Sequence, residues 1–170
     1  MRHIALLALA GAFFAADASA ATTGGSFQVT ATVAPSCTVM ASQGIAFGNY
    51  DPATTHFTNP LDANGSIDVR CTKGTAVDIA LDEGLPANKA AGSTCGAPVR
   101  QMASGTDRLA YAIYSESTHT TAWGCAAAND ISYTSTSNAT RTLTTYGRVP
   151  GGQDANTGSY SDTVAFTITF

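Results

Sequence analysis

Charge is scarce in this chain. Of its 170 residues only 12% are charged, about half the usual ~25%. Lys73, Lys89 and six arginines supply every fixed cation, and they form no basic run, which argues against nucleic-acid binding. Its four cysteines contain no C-x-x-C pair, so a zinc cluster has no support. Glutamate occurs only at Glu83 and Glu116, and neither His-x-x-x-His nor Gly-x-Ser-x-Gly is present. The convergent titratable groups of an enzyme are therefore missing, and no cofactor or metal is expected. Helical periodicity is absent beyond the first twenty residues. The 44% hydrophobic fraction is ordinary for a globular protein, so low charge does not here signal disorder.

What is present begins with an address. Met1-Arg2-His3 is a short positive segment, Ile4 to Ala16 is apolar, and Ala18-Ser19-Ala20 is a small-residue cleavage pattern. Together they read as a secretory signal peptide over residues 1–20, cut between Ala20 and Ala21. The apolar run is short for a bilayer span and Asp17 interrupts it, so no stable membrane span is expected after processing. Export places Cys37, Cys71, Cys95 and Cys125 in an oxidising compartment, where an even number predicts two disulfides. Three pairings are possible. Local pairing, Cys37 with Cys71 and Cys95 with Cys125, would close two loops of about 30 residues, each worth about 3–4 kcal/mol in the chain-entropy view.

Apolar and polar residues then alternate again and again. Phe27-Gln-Val29-Thr-Ala31-Thr-Val33 does so without a break, as a strand with one buried face does. After Ala34-Pro35-Ser36 the pattern resumes at Cys37-Thr-Val39, with a further short piece at Ile45-Ala-Phe47. Ile67 to Cys71, Val77 to Leu81, Leu109 to Tyr114, Thr140 to Val149 and Thr163 to Phe170 complete the set, and Val99 to Met102 reads as a short edge strand. In the last of these Val164, Phe166, Ile168 and Phe170 share a face. Residues 82–97 and 118–130 read as loops, the second holding the single Trp123. Seven or more short strands with polar turns predict an all-β sandwich of immunoglobulin type. Two features are unusual: the chain stops on a strand, and an alternating segment follows the leader Ala21-Thr-Thr-Gly24-Gly25-Ser26.

Several short motifs, in order, resemble the spore coat protein U family, which includes subunits of archaic chaperone–usher pili. They are Cys37-Thr38-Val39, Phe47-Gly48-Asn49-Tyr50-Asp51-Pro52, Ile67-Asp-Val69-Arg-Cys71, Leu109-Ala-Tyr111-Ala-Ile113-Tyr114 followed by Trp123-Gly124, Tyr146-Gly147-Arg148-Val149-Pro150-Gly151-Gly152-Gln153, and Gly158-Ser-Tyr160-Ser-Asp162-Thr163. The resemblance implies an incomplete immunoglobulin-like sandwich of pilin type over residues 35–170, preceded by a donor-strand extension over 21–34. Phe27, Val29, Ala31 and Val33 would fill the groove of a neighbouring pilin beside a last strand carrying Val164, Phe166, Ile168 and Phe170. It implies Cys71 as partner of Cys37. Cys95 and Cys125 would tie the loop after Leu81 to the loop around Trp123. It also implies a periplasmic pilus chaperone that caps the groove, an outer-membrane usher that exchanges strands, a homopolymer of neighbouring subunits on the cell surface, and roles in adhesion and biofilm formation.

Two other readings stand beside this one. The chain could be a secreted coat or matrix protein that completes its own sandwich, or a tip adhesin or carbohydrate-binding module. A tip subunit would be expected to carry a further N-terminal domain, which favours a stalk subunit here. His56 and His119 lie in Thr-rich, loop-like sequence and read as exposed loop histidines. Asp62-Ala-Asn64-Gly65-Ser66 offers oxygen ligands without EF-hand spacing. Asn64-Gly-Ser66 and Asn138-Ala-Thr140 match the glycosylation pattern, as chance matches in a pilin-like chain.

Overall fold

The computed structural model describes residues 19–85 and 87–170. The apolar run of the expected signal peptide lies outside them, whereas Ala20 and Ala21 are exposed and without regular structure. Among the described residues no helix is long and apolar enough to cross a membrane. The chain divides after Thr32 into two units, and the sandwich belongs to the second. In the first, residues 27–32 carry no strand, and Phe27 and Val29 are 88% and 81% exposed. Their alternation alone does not make a strand, because a single extended segment has no ladder to join.

Among the described residues eight strands follow: β1 (Cys37–Gln43), β2 (Leu61–Cys71), β3 (Ala76–Leu81), β4 (Arg100–Ser104), β5 (Asp107–Tyr114), β6 (Ile131–Thr134), β7 (Arg141–Val149) and β8 (Phe166–Thr169). They form a five-stranded sheet, β1-β2-β7-β5-β4, and a three-stranded sheet, β6-β3-β8. Every pairing is antiparallel. Period-2 patterning explains which face each strand buries. Ile67, Val69 and Cys71 of β2 meet Leu143 and Val149 of β7 and Leu109, Tyr111 and Ile113 of β5, while β3 brings Val77, Ile79 and Leu81 from the other sheet. Cys37 stands directly opposite Cys71 across the β1–β2 ladder, and the two are bonded. Cys95 and Cys125 form the second disulfide.

Three local readings change. Ile45 and Phe47 belong to no strand; they are half-buried and pack against β7 at Gly147, where an added Cβ would lie 2.8 Å from each. Their pattern is that of a strand, but no neighbouring backbone pairs with it. Residues 131–134, unread as a strand, form β6 against β3; four residues are too few for periodicity to show. The last strand is shorter than its pattern. Phe166 to Thr169 pairs with β3, while Val164 precedes the ladder and Phe170 is 56% exposed.

Candidate functional site, an open groove between the sheets

The three-stranded sheet stops at β8. Among the described residues β8 pairs with β3 alone, so its other edge has no backbone partner. Beside that edge the two sheets stand apart. A groove of about 360 Å³ opens there, with Val164 and Phe166 on one bank, Gln43, Ile45 and Phe47 on the other, and Ile67, Tyr111, Ile113 and Thr145 of the five-stranded sheet along the floor. A second cavity of about 580 Å³ shares Ile45, Phe47, Met102 and Tyr160 with it and adds Leu61, Leu109 and Val149. Apolar surface is the larger share in the first, although Ser42, Gln43, Ser66 and Asp162 also line it, whereas the second is polar and apolar in about equal measure. Val164, Phe166 and Ile168 stay half-buried on one face of the terminal segment. An unpaired edge next to an apolar trough is a template for an added strand.

The frame of this groove is built by residues from distant parts of the chain. The Tyr50 hydroxyl donates to the Pro150 carbonyl at 3.0 Å and accepts from the Gln153 amide at 3.0 Å. Gln153 then behaves as a piece of backbone: its Nε2 donates to the Ala110 carbonyl and its Oε1 accepts from the Ala110 amide. That bond extends β5 beyond the point where its ladder with β7 begins, at Ala112. Phe47 meets Tyr111 edge-on, with centroids 6.2 Å apart. The Tyr111 hydroxyl donates to Asp162 Oδ2 at 2.7 Å, and burial, reinforced by that bond, holds the phenol protonated far above its ordinary range. Asp162 Oδ1 accepts from the Leu85 amide and from Asn88 Nδ2. Two further ties fix the segment before β8 to both sheets: Ser161 bridges to Ala103 of β4, and the Asp82 amide donates to Ala165.

A plug closes the space between the sheets elsewhere, and sequence reasoning missed it. Trp123 is fully buried; its indole Nε1 donates to Ile79 of β3 at 2.9 Å and its amide to Ile113 of β5 at 2.8 Å, so one residue spans both sheets. Arg100 is likewise without exposure and donates to the carbonyls of Leu81, Asp82 and Trp123. Desolvation lowers its pKa, against the raising influence of Tyr111 and of Asp82, Asp162 and Glu83. Asn129 Nδ2 reaches the carbonyls of Cys95 and Gly96, bracing the second disulfide. An arginine on an alternating edge strand reads as solvated, and a tryptophan in irregular sequence carries no periodicity. The only signal was the single tryptophan beside Gly124, whose Cβ position is occupied by the Cys95 carbonyl.

Both histidines depart from the expectation of exposure. His56 is buried, accepts from the Asp51 amide at Nδ1 (3.0 Å) and stacks on Tyr50 with centroids 5.1 Å apart. His119 takes φ 54° and packs edge-on against Tyr114 and Tyr146. Each is held by an aromatic neighbour that sequence distance concealed. Asp62 lies on β2 rather than in a ligand loop, and both its carboxylate oxygens accept from Arg148 at 2.7 Å, which lowers its pKa. Among the described residues no three His, Cys, Asp or Glu side chains are grouped to hold a metal.

An all-antiparallel sandwich with one sheet cut short and an apolar groove beside the missing edge is an incomplete immunoglobulin-like domain of pilin type. The same fold occurs in the crystal structure of the CsuC–CsuE chaperone–tip adhesion subunit pre-assembly complex from the archaic chaperone–usher Csu pili of Acinetobacter baumannii: TM-score 0.54, 25% identity, 82% of this chain covered. This chain spans 40% of the length of that one. The protein belongs to the Spore Coat Protein U domain family, whose pattern matches residues 23–167. Protein U of Myxococcus xanthus is 35% identical over 160 residues, which is 90% of this chain and 88% of that protein.

Proposed function

We propose that this protein is a structural subunit of a secreted surface pilus, in which each copy lends residues 27–33 to the groove of the next. The open edge of β8 beside an apolar groove is the observation that carries the reading. Supporting it, Phe27, Val29 and Val33 are 78–88% exposed, a costly arrangement unless something else covers them. Burying each would contribute roughly 1.5–3 kcal/mol, with less from Ala31. Strand hydrogen bonds add roughly 1 kcal/mol each, while ordering the segment costs about 1–2 kcal/mol per residue. The sum favours assembly when the side chains fit.

On this reading residues 1–20 direct export, 21–34 are the donor extension and 35–170 the acceptor domain. A periplasmic chaperone shields the groove until an outer-membrane usher exchanges it for the neighbouring subunit's donor, and the filament serves adhesion and biofilm formation at the cell surface. The role is structural rather than catalytic, since both histidines are engaged in packing. A second reading draws on the likeness to Protein U: a coat or matrix protein whose sandwich is completed within one chain.

Substituting Val29→Asp tests the assignment. The expected result is a folded, exported domain that forms no SDS-resistant, heat-dissociable ladder, whereas the unsubstituted chain does. Normal polymers from the variant would refute donation by this segment. A stable monomer of the unsubstituted chain, made without any chaperone, would favour the coat reading.

A further inference from the structure

We propose that the protein binds an anionic carbohydrate in a bowl at the Cys37–Cys71 end of the sandwich, away from the groove. Such binding is compatible with a pilus and with a coat alike. The scarce cations of this chain point to the place. Among the described residues Lys89 pairs with Glu83 and Arg148 with Asp62. Arg100 and Arg108 donate to backbone carbonyls, and Arg141 lies over the Tyr133 ring. Arg70 and Lys73 remain, exposed and without a carboxylate, carbonyl or aromatic partner among the described residues; Arg70 reaches only the Thr140 hydroxyl, at 3.2 Å. Both line the same cavity, of about 580 Å³, and no carboxylate among the described residues lines it with them. Asp68, two residues before Arg70 on β2, is outside it.

Three segments distant in sequence wall the bowl, and they are tied together before any ligand arrives. The Cys37–Cys71 disulfide joins the first to the second, and the Thr72 amide donates to the Ser36 carbonyl at 2.9 Å. The Gly74 amide donates to the Ser135 carbonyl at 2.7 Å and the Ser135 amide to the Thr75 carbonyl at 2.8 Å, which fastens residues 136–138 to the turn that carries Lys73. A preformed wall loses little freedom on binding. Its chemistry suits a ligand both charged and hydroxylated. Arg70 offers a planar fork and Lys73 a point charge to an oxyanion. Ser36, Thr38, Thr136 and Ser137 add hydroxyls that can each donate and accept, as sugar hydroxyls do, and Asn138 adds a carboxamide. A bare phosphate ion would meet the cations and leave the hydroxyl wall in water. An acidic peptide would likewise leave most of that wall unmatched. Nucleic acid fits poorly, because no aromatic side chain lines the bowl to stack a base. A uronic acid carries both kinds of group.

Titrating the exported full chain with an oligogalacturonate, followed by amide chemical shifts and calorimetry, tests this. The expected result is saturable binding that moves the amides of Lys73 and Thr136. Lys73→Gln and Arg70→Gln should each weaken it at least about fivefold. Lys89→Gln removes the same charge from a distant pair and should change it less than about twofold. All three sites are on the surface, and circular dichroism of each variant confirms the fold. The fully methyl-esterified oligosaccharide, the same sugar without its charge, should bind at least about tenfold more weakly. Equal binding of that neutral form would overturn the proposal, as would an equal loss from Lys89→Gln, which would reduce the effect to net charge. Oligoglutamate or inorganic phosphate binding as tightly as the saccharide would overturn the assignment to carbohydrate.

Discussion

The space between the two sheets is closed in one region and open in another, and the two regions use different chemistry. Around Trp123 the closure is polar at its core. The indole and the Arg100 guanidinium satisfy the carbonyls of Ile79, Leu81, Asp82 and of Trp123 itself, and a disulfide with Asn129 holds the loop in place. Beside β8 the equivalent space is lined by Ile45, Phe47, Val164 and Phe166, which are half-buried with no chain element over them among the described residues 33–85 and 87–170. Directional bonds fix a plug made once, during folding. A trough of apolar side chains, with a free backbone edge, can accept a strand after folding, because hydrophobic burial is non-directional and edge hydrogen bonds are generic. The opening is therefore a built feature, framed by Tyr50, Gln153 and the Tyr111–Asp162 bond, rather than a defect of packing.

That contrast can be broken most forcibly at Trp123. Trp123→Ala is expected to destabilise the isolated domain by about 3–5 kcal/mol, read by urea unfolding monitored by circular dichroism. A loss below about 1 kcal/mol would mean that the plug does not hold the sheets together. Next comes the first disulfide. Replacing Cys37 and Cys71 together by serine should cost about 3–4 kcal/mol, given their separation of 34 residues, and it should fray β1, the edge strand the bond anchors.

On the open side the informative substitution is Phe166→Ala. In the unassembled domain the side chain is half exposed, so the cost is expected to be about 1 kcal/mol. In polymers the loss should exceed that in the free domain, measured as a lower dissociation temperature; equal losses in both states would mean that no donor covers this residue.

The smallest effect is local. Glu116 Oε1 accepts from the Thr120 and Thr121 amides and the Thr120 hydroxyl, and Oε2 from Ser115. Hydrogen bonds from Ser115 and then Thr120, with the two amides, lower its pKa to about 2. Because the folded value is depressed, the ordering of this loop is complete above the ordinary glutamate range and is lost as pH falls through about 2. Amide chemical shifts of Thr120 and Thr121 should therefore hold steady from about pH 5 downward and move only near about pH 2. Movement centred near about pH 4.5 would show that the bonds do not persist in solution.

Much of the architecture was legible in residue order, and the remainder was not, for one physical reason. A strand that buries one face writes a period of two along its own length, so β2, β3, β5 and β7 stand out in the sequence without knowledge of their partners. Pairing is non-local, and there the pattern falls silent or misleads. Ile45 and Phe47 alternate like a strand yet meet Gly147 instead of a ladder. Arg100 alternates like a solvated edge residue yet is sealed by three carbonyls. His56 and His119 look like loop residues until Tyr50, Tyr114 and Tyr146 arrive beside them. The groove itself belongs to this second kind. Its side chains could be listed from alternation, but that they face one another across a gap follows from how two sheets pack over distances that no local period records.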